Sequence, residues 1–228
     1  MQSAILRARL ESAFGERISS PFTDLDRRVF ESVPTGIASL DAVTGGLPRG
    51  AITEIFGPAS SGRTSLMVSI LAEATAGEEV GALVDGVDAF DPKSAAAGGI
   101  ELNRLLWVRC HTLDQVLKST DLLLQGGGFG RVVMDLTGLP LPHVRSISLA
   151  SWFRFQRTIE KTPTVLLVIS PESAVKSAAS LVLQTEMRCA EWSTVLNGLN
   201  LDIEIVRSRR ARPLNSHVRV HLHSEFIL

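Results

Sequence analysis

The chain has 228 residues, of which 45% are hydrophobic and 21% charged, with a formal net charge of −1 at pH 7. This length and apolar content are enough for one substantial core, while the near-neutral charge excludes a chain-wide positive field that would gather nucleic acid. Cys110 and Cys189 are the only cysteines, so we expect neither a disulfide framework nor a zinc site. No apolar run approaches the roughly 18 residues of a membrane span, and we expect a cytoplasmic protein.

The first part of the chain has the pattern of a helical arm. Four apolar residues recur at four-residue intervals, the spacing of one helix face: Leu6, Leu10, Phe14 and Ile18. Pro21 and the polar residues around it predict a connector that ends this helix. We therefore divide the chain into an arm with its connector, residues 1–32, and a core domain, residues 33–228. An isolated helix of this length is marginal in water, so the arm needs a surface to bind.

The core domain shows apolar runs that alternate with helical patterns. Five near-continuous apolar runs are typical of buried parallel strands: residues 51–56, 80–85, 105–108, 132–135 and 165–170. Three stretches between them predict helices: residues 64–74, 113–125 and 144–160. Three later runs alternate apolar and polar residues and predict antiparallel strands: residues 181–188, 201–207 and 218–223. The predicted fold class is α/β, with a mostly parallel central sheet covered on both faces.

A glycine- and serine-rich loop between the first of these strands and the first helix has the spacing of a phosphate-binding loop. In the pattern G-x-x-x-x-G-K-[ST], backbone N–H groups surround the phosphates, the lysine reaches the β- and γ-phosphates, and a hydroxyl binds Mg²⁺. The residues assigned to this cofactor site are Gly57, Ser60, Ser61, Gly62, Arg63, Thr64 and Ser65. Arg63 replaces the lysine with a bulkier planar group, so we expect a degenerate site. The alternative is a strand-to-helix turn without a ligand.

A second element of a nucleotide site is the carboxylate of Asp135, which ends the apolar run at 132–135. In phosphate-loop proteins an acid at this strand end holds Mg²⁺ through water, close to the loop hydroxyl, which here belongs to Thr64. We therefore assign Thr64 and Asp135 to Mg²⁺ on the condition that nucleotide binds. The alternative role for Asp135 is to cap the turn that follows.

Two segments, residues 33–62 and 83–92, resemble the opening of the core of the bacterial RecA recombinases. The likeness runs with gaps from residue 33 to the end of the chain. It implies a RecA-like core with bound ATP and Mg²⁺. Within that group, the variant sequence Gly62-Arg63-Thr64-Ser65 and the short chain look more like the ImuA-type accessory proteins of error-prone repair.

The resemblance also implies which functional residues are retained and which are lost. The glutamate with which RecA orients the attacking water aligns with Val87, and an apolar side chain cannot perform this task. The carboxylate of Asp88 is one residue out of register. Asp91 matches an acid that contacts adenine, whereas Ser94 stands where RecA has an aromatic residue that stacks on the base. We therefore expect no or very weak ATPase activity.

The two loops with which RecA binds single-stranded DNA correspond to residues 136–143 and 171–180. Both segments are short and contain few cations, so they offer little counterion release. We expect weak binding of single-stranded DNA at most.

An arginine cluster near the end of the chain is the remaining basic feature. Arg207 and Arg209 match two RecA lysines that reach a neighbouring subunit's γ-phosphate, so the resemblance includes them in the cofactor site. Together with Arg210 and Arg212 they form a candidate DNA or partner patch. A subunit interface and a solvated strand edge stay open as alternatives.

Several aromatic and histidine side chains receive structural assignments. Trp152, Phe153, Phe155 and Trp192 are predicted to pack in the core. His221 and His223 alternate along one strand face, but no third ligand has the spacing to complete a metal site, so we assign no metal there.

The resemblance therefore implies a RecA-like accessory protein of bacterial DNA repair, acting in the SOS response and translesion synthesis mainly through protein contacts. The ImuA-type resemblance implies two partners: an inactive Y-family polymerase homologue and an error-prone polymerase. The arm is expected to bind RecA or a second copy of the chain, the alternative being packing on its own core. The alternative function is a working single-stranded-DNA-dependent ATPase or recombinase paralogue, with Arg63 and Asp88 in the active site.

Overall fold

The computed structural model describes residues 31–193, 196–209 and 216–223. The predicted arm residues Leu6, Leu10, Phe14 and Ile18 lie outside the described residues, as do Arg210 and Arg212. No helix in the described part of the chain is long and apolar enough to cross a membrane.

The strands in the described residues fall into a small ribbon and one large sheet. The ribbon pairs β1 (Ser32–Val33) with β2 (Leu47–Pro48) in the antiparallel sense. The large sheet contains β3 (Ile52–Phe56), β4 (Gly81–Asp85), β5 (Leu105–Arg109), β6 (Arg131–Asp135), β7 (Val165–Ser170), β8 (Leu181–Trp192), β9 (Leu196–Ser208) and β10 (His217–His223).

The spatial order of the large sheet is β10-β9-β8-β3-β7-β6-β4-β5. Strands β3 to β7 pair in parallel with their neighbours in the sheet, and β8 pairs in parallel with β3. β9 pairs in the antiparallel sense with both β8 and β10. The predicted α/β fold, with a mostly parallel sheet and antiparallel C-terminal strands, is confirmed. Because the parallel strands share one direction, the loops that follow β3, β4, β6 and β7 meet at one edge of the sheet.

Helices cover both faces of this sheet. The helices are α1 (Ala38–Thr44), α2 (Arg63–Ala76), α3 (Pro92–Ala97), α4 (Leu113–Gly126), α5 (Leu141–Ser146) and α6 (Leu149–Ile159), with 3₁₀ turns at Leu102–Arg104 and Lys176–Ala178. One apolar cluster joins the sheet to α1, α2 and α3, and it includes Leu40, Leu66 and Ile70. The other joins the opposite face to α4, α5 and α6 through side chains such as Val116, Trp152 and Phe155.

Two details differ from the sequence-based expectation. The single helix predicted at 144–160 is two helices, because Ser148 adopts an extended conformation and its hydroxyl accepts the backbone N–H of Ser151 at 3.1 Å, which caps α6. Trp152 and Phe155 are fully buried as predicted, but the core assignment of Trp192 is wrong: its side chain is 70% exposed near the end of β8. β8 is longer than the predicted run and carries this residue beyond the helices that cover its first half.

Candidate nucleotide site

The candidate site lies at the sheet edge where β3, β4, β6 and β7 end. β3 leads into the glycine- and serine-rich loop, and α2 begins at Arg63 directly after it. Since the first N–H groups of a helix have no partner within the helix, they point toward the loop and favour an anion there. The structure therefore gives the predicted phosphate-binding loop its expected place between a buried strand and a helix N-terminus.

Side chains of β8 and β9 fix the conformation of the loop. Gly62 has φ +81, and a Cβ atom at this position would lie 2.5 Å from the side chain of Leu201. Only glycine avoids both the left-handed backbone penalty and this collision. The hydroxyl of Ser61 lies 2.9 Å from that of Thr185 and is buried. The loop is therefore held in one shape by strands that follow it far along the chain.

Arg63 does not extend away from the sheet. Its side chain is only 8% exposed, and Nη1 donates a hydrogen bond of 2.6 Å to the carbonyl oxygen of Ser170 at the end of β7. Burial lowers the pKa of Arg63, and the negative charge of Asp135 opposes that shift. The guanidinium is thus tied to the sheet edge next to a carboxylate.

Asp135 ends β6, the strand next to β7, and its carboxylate accepts the backbone N–H of Thr137 at 2.9 Å. This contact is the turn-capping role left open by the sequence. Burial raises the pKa of Asp135, nearby Asp85 raises it further, and the hydrogen bonds from Thr137 and the charge of Arg63 act in the opposite direction. Asp135 and Thr64 line the same cavity, so the structure brings together the two residues assigned to Mg²⁺.

The loop after β4 is organised by Asp85, which the sequence analysis did not select. Its carboxylate accepts the backbone N–H groups of Val87 at 3.2 Å and Phe90 at 2.8 Å, and the indole N–H of Trp107 at 3.3 Å. Val87 packs over Gly138 in the loop after β6, since a Cβ atom on that glycine would collide with the valine side chain. The position aligned with RecA's glutamate therefore carries an apolar contact between two loops.

Asp88 faces the outer strand of the sheet. Its φ is +58, and its carboxylate lies 3.9 Å from Nε of Arg109 on β5. Arg109 in turn stacks over Trp107, with the guanidinium carbon 5.3 Å from the ring centroid. Asp88 therefore pairs with Arg109 on β5, while the backbone N–H groups of Val87 and Phe90 on either side of it bond to Asp85.

A cavity of about 700 Å³ opens beside the first turn of α2. Asp91 and Ser94, the residues aligned with the adenine site, both line it. The Asp91 carboxylate caps α3 by accepting the hydroxyl of Ser94 at 2.6 Å and the backbone N–H of Lys93 at 3.1 Å. The Ser94 hydrogen bond is the main reason that the pKa of Asp91 is lowered. Apolar walls come from Met67, Phe90 and Leu222.

The segment after β7 is a compact turn. Glu54, fully buried in the middle of β3, accepts the backbone N–H groups of Ala174 at 2.5 Å and Val175 at 2.9 Å, and the hydroxyl of Ser173 at 3.0 Å. Burial is the largest influence on the pKa of Glu54 and raises it. This carboxylate therefore fixes the segment that the sequence analysis matched to RecA's second DNA-binding loop.

The two described arginines of the cluster, one on β9 and one directly after it, bind the same turn. The guanidinium of Arg207 donates to the carbonyl oxygen of Lys176, and that of Arg209 donates to the carbonyl oxygen of Ser177. Both side chains are exposed. In the described chain neither of them lines the cavity beside α2, in contrast to Thr64 and Asp135.

Glu54 and Asp85 are the polar residues that sequence reasoning missed. A charged residue inside the apolar run 51–56 is the feature that marks Glu54, because an ionisable group in a buried strand requires hydrogen-bond partners. Asp85 ends its strand as Asp135 does, and the same argument applies to it. Among the described residues, no group of three or more His, Cys, Asp and Glu side chains is placed to hold a metal ion.

Comparisons with known proteins agree with this geometry. A parallel sheet with a glycine-rich loop between a strand and a helix defines the class of phosphate-loop α/β proteins. A family model described as the RecA N-terminal domain matches residues 2–144, which include the phosphate loop and Asp135. This chain belongs to the RecA family.

Individual RecA proteins are similar to part of this chain. Protein RecA of Symbiobacterium thermophilum is 38% identical over 138 residues, which cover 59% of this chain and 39% of that protein. Protein RecA of Thermus aquaticus is 35% identical over 135 residues, covering 58% of this chain and 40% of the relative. Protein RecA of Frankia alni is 33% identical over 137 residues, which cover 59% of this chain and 40% of that protein. The matched part therefore spans about two fifths of the length of these relatives.

Proposed function

We propose that this chain is a RecA-family accessory protein of bacterial DNA repair that binds adenine nucleotide, turns it over very slowly or not at all, and acts mainly through protein contacts. The observation that carries the proposal is the loop after β4. Val87 packs on Gly138 where a water-orienting carboxylate would be needed, and the carboxylate of Asp88 is directed to Arg109. Without a base in reach, the attacking water is neither aligned nor deprotonated.

Nucleotide binding without efficient hydrolysis is supported by the remainder of the site. The loop between β3 and α2 leads into a helix N-terminus, whose first N–H groups have no partner within the helix, and the cavity beside it is lined by Asp91 and Ser94. Ser94 cannot stack on a base as an aromatic side chain does, so the site is expected to hold adenine nucleotide weakly. A loss of roughly 1–3 kcal/mol is typical for a missing base–aromatic contact.

The proposed setting is damage-induced translesion synthesis in the SOS response. The candidate partners are RecA or a second copy of the chain through the arm residues 1–20, and an inactive Y-family polymerase homologue with an error-prone polymerase. Single-stranded DNA is proposed as a weak ligand at most, because the turn at 173–177 is compact and tied down by Glu54, Arg207 and Arg209.

The experiment has two arms on the purified full-length chain. In the first, steady-state ATP turnover is measured with and without single-stranded DNA, beside a RecA enzyme as the positive control. In the second, the tagged chain is mixed with purified RecA and with each translesion polymerase component, and bound protein is quantified. Background turnover with capture of at least one partner is the expected result. DNA-stimulated turnover within tenfold of RecA would instead support the working-ATPase alternative.

A further inference from the structure

Arg63 joins the two ends of the phosphate loop at one point of the sheet. The loop leaves the sheet after Phe56, the last residue of β3, and Phe56 pairs with Ser170 at the end of β7. Arg63 is the first residue of α2, directly after the loop, and its Nη1 donates to the carbonyl oxygen of Ser170 at 2.6 Å. The side chain therefore brings the end of the loop back to the strand end from which the loop departs.

The surroundings of this bond suit an arginine. The guanidinium is only 8% exposed, and Ser170 is fully buried. A guanidinium is planar and more weakly hydrated than an ammonium, so it is easier to bury beside a carbonyl oxygen. Ser170 is itself held, because its hydroxyl donates to the carbonyl oxygen of Glu172 at 2.8 Å. Arg63 is thus a structural tie between the loop and β7.

Other cations of this region are bound elsewhere. Among the described residues, no lysine or arginine lines the cavity beside α2. Nε of Arg109 lies 3.9 Å from the carboxylate of Asp88, and the guanidinium groups of Arg207 and Arg209 donate to carbonyl oxygens of the turn after β7. The polar side chains that line the cavity at the start of α2 and after β6 are hydroxyls and a carboxylate: Thr64, Ser65, Thr137 and Asp135.

This arrangement gives the third phosphate of ATP no side-chain cation. In a phosphate-binding loop the backbone N–H groups surround the α- and β-phosphates, and the lysine reaches the β- and γ-phosphates. The loop and the helix N-terminus retain the first of these contacts. Arg63 stands at the lysine position, but its head group is bonded to the sheet. A γ-phosphate therefore adds negative charge to a cavity that the carboxylate of Asp135 also lines.

Mg²⁺ fits this site. A hydroxyl and a carboxylate, completed by water and phosphate oxygens, are suitable ligands, so Thr64 and Asp135 would hold the ion beside the phosphates. When bound, Mg²⁺ offsets phosphate charge in ADP as well as in ATP.

We propose that the chain binds ADP and ATP without distinguishing them, because Arg63 ties the phosphate loop to β7 and does not contact phosphate. The proposal rests on the proposed function, since it assumes that adenine nucleotide binds at this loop. It replaces the assignment made from the sequence, in which Arg63 is a cofactor-binding residue. An occupied site then conveys the presence of adenine nucleotide and not its phosphorylation state.

The test compares two nucleotides on the full chain by calorimetry in Mg²⁺: ADP, and the β,γ-imido analogue of ATP, which resists hydrolysis. The native protein is expected to bind both with the same affinity within about twofold. Arg63→Lys places a shorter and strongly hydrated ammonium at the loop, which is expected to leave Ser170 and reach the terminal phosphate. A charged hydrogen bond gained by the analogue alone should favour it by about tenfold or more.

Two further variants separate the tie from a phosphate contact. Arg63→Met removes the tie without supplying a cation, so affinity for both nucleotides is expected to fall by the same factor. Its melting temperature should also fall, because the buried carbonyl of Ser170 loses this donor. Arg49→Lys is the matched control: Arg49 also donates to a backbone carbonyl, that of Pro163 at 2.8 Å, and does not line the cavity. It should keep the native ratio of affinities.

Each outcome separates this inference from the function it rests on. Thermal melting verifies that each variant folds, and the native ratio decides the question alone if a variant does not. A native preference for the imido analogue beyond about twofold, or a loss in Arg63→Met confined to that analogue, would overturn the inference and leave nucleotide binding intact. No binding of either nucleotide would remove both the inference and the nucleotide part of the proposed function.

Discussion

The carboxylate of Asp88 lies 3.9 Å from Nε of Arg109, on the outer parallel strand of the sheet. This relationship directs the acid nearest to RecA's hydrolytic position toward β5. Phe90 supports the arrangement by an edge-to-face contact with Trp107, at 5.3 Å between ring centroids. Under the proposed function, the shape of the whole loop accounts for the loss of hydrolysis, and we expect that restoring it requires more than moving one carboxylate.

The first prediction concerns repair of the hydrolytic site. Val87→Glu alone and Arg63→Lys alone should leave ATP turnover at background, because each leaves the other defect in place. The double variant should raise turnover at least tenfold, since positioning of a general base typically contributes about 10²–10⁴-fold. Release of phosphate in a coupled assay measures it.

The matched control for this prediction is Val87→Gln combined with Arg63→Lys. It has the same shape and no base, so it should stay at background. RecA-like turnover in Arg63→Lys alone would show that Val87 is not a defect.

The second prediction concerns the buried carboxylate of Glu54. Its pKa is raised above the ordinary value of 4.5 by burial, so the folded protein binds this proton more tightly than the unfolded chain. The corresponding stability is present below pH 4.5 and is lost as the pH rises through the folded-state pKa. Glu54→Gln cannot ionise. The free energy of unfolding of the variant relative to the native protein should therefore increase as the pH is raised above 4.5.

Urea denaturation of both proteins from mildly acidic to neutral pH measures this difference. Groups other than Glu54 are the same in the two proteins and cancel in the comparison. A difference that is independent of pH, or that falls as the pH rises, would contradict the assignment. Glu54→Ala serves as a second comparison, because it leaves the N–H groups of Ala174 and Val175 without their acceptor, at a cost of roughly 1–3 kcal/mol per group.

The third prediction concerns single-stranded DNA. Binding should be weak and salt-sensitive, and it should depend on the patch Arg207, Arg209, Arg210 and Arg212. Replacing these four residues with Ala should flatten the logarithmic salt dependence by about 0.7 to one unit for each lost phosphate contact. Fluorescence anisotropy of a labelled oligonucleotide at several salt concentrations measures the slope.

A pair of arginines elsewhere on the extended strands provides the control. Arg188 and Arg219 approach Asp202 at 3.7 and 3.6 Å, on the face of β8 to β10 that carries several charges. Replacing both with Ala lowers the positive charge without touching the patch, and the slope should stay unchanged. Sub-micromolar binding at physiological salt that persists after the patch is removed would contradict this prediction.

The fourth prediction concerns the arm. Leu10→Asp, or deletion of residues 1–20, should leave the cooperative melting of the core unchanged and abolish self-association or RecA binding. An intermolecular contact depends on protein concentration, whereas packing of the arm on its own core does not. Light scattering and pull-down measure the association. Ser12→Asp introduces the same charge off the predicted apolar stripe and should retain it.

The opposite result for the arm is equally clear. A core that melts at lower temperature after the deletion, with association unchanged, would show that residues 1–20 belong to the core.

The strands and the phosphate loop could be predicted because their information is local. A run such as residues 165–170 is apolar throughout, and the loop at 57–65 has a fixed spacing of glycines and hydroxyls. The antiparallel extension also follows from these patterns, whereas the sheet order was not predicted. Contacts between residues that lie far apart in the chain are harder to predict from the sequence. The partner of Arg63 is Ser170, and that of Glu54 is the backbone at 174–175, each more than 100 positions away.

The sequence-based prediction was wrong at two places. Trp192 is aromatic and follows an apolar strand, yet β8 carries it past the helices that would have covered it. The stretch 144–160 is helical in composition, yet Ser148 competes for the backbone N–H of Ser151 and starts a new helix. The tertiary arrangement decides the first case and a local hydrogen bond decides the second, in each case between structures that the sequence pattern allows equally.

The most direct test of the central claim is a single-turnover experiment with the native chain in excess over labelled ATP and with saturating single-stranded DNA. Nucleotide retained on the protein is separated by filter binding, and its phosphate content is read by chromatography. The account predicts that ATP is retained and recovered intact at times when a RecA enzyme has converted its bound ATP to ADP. Conversion of the bound ATP at a rate within tenfold of that enzyme would contradict it, because the site would then contain a functional base despite Val87 and the position of Asp88.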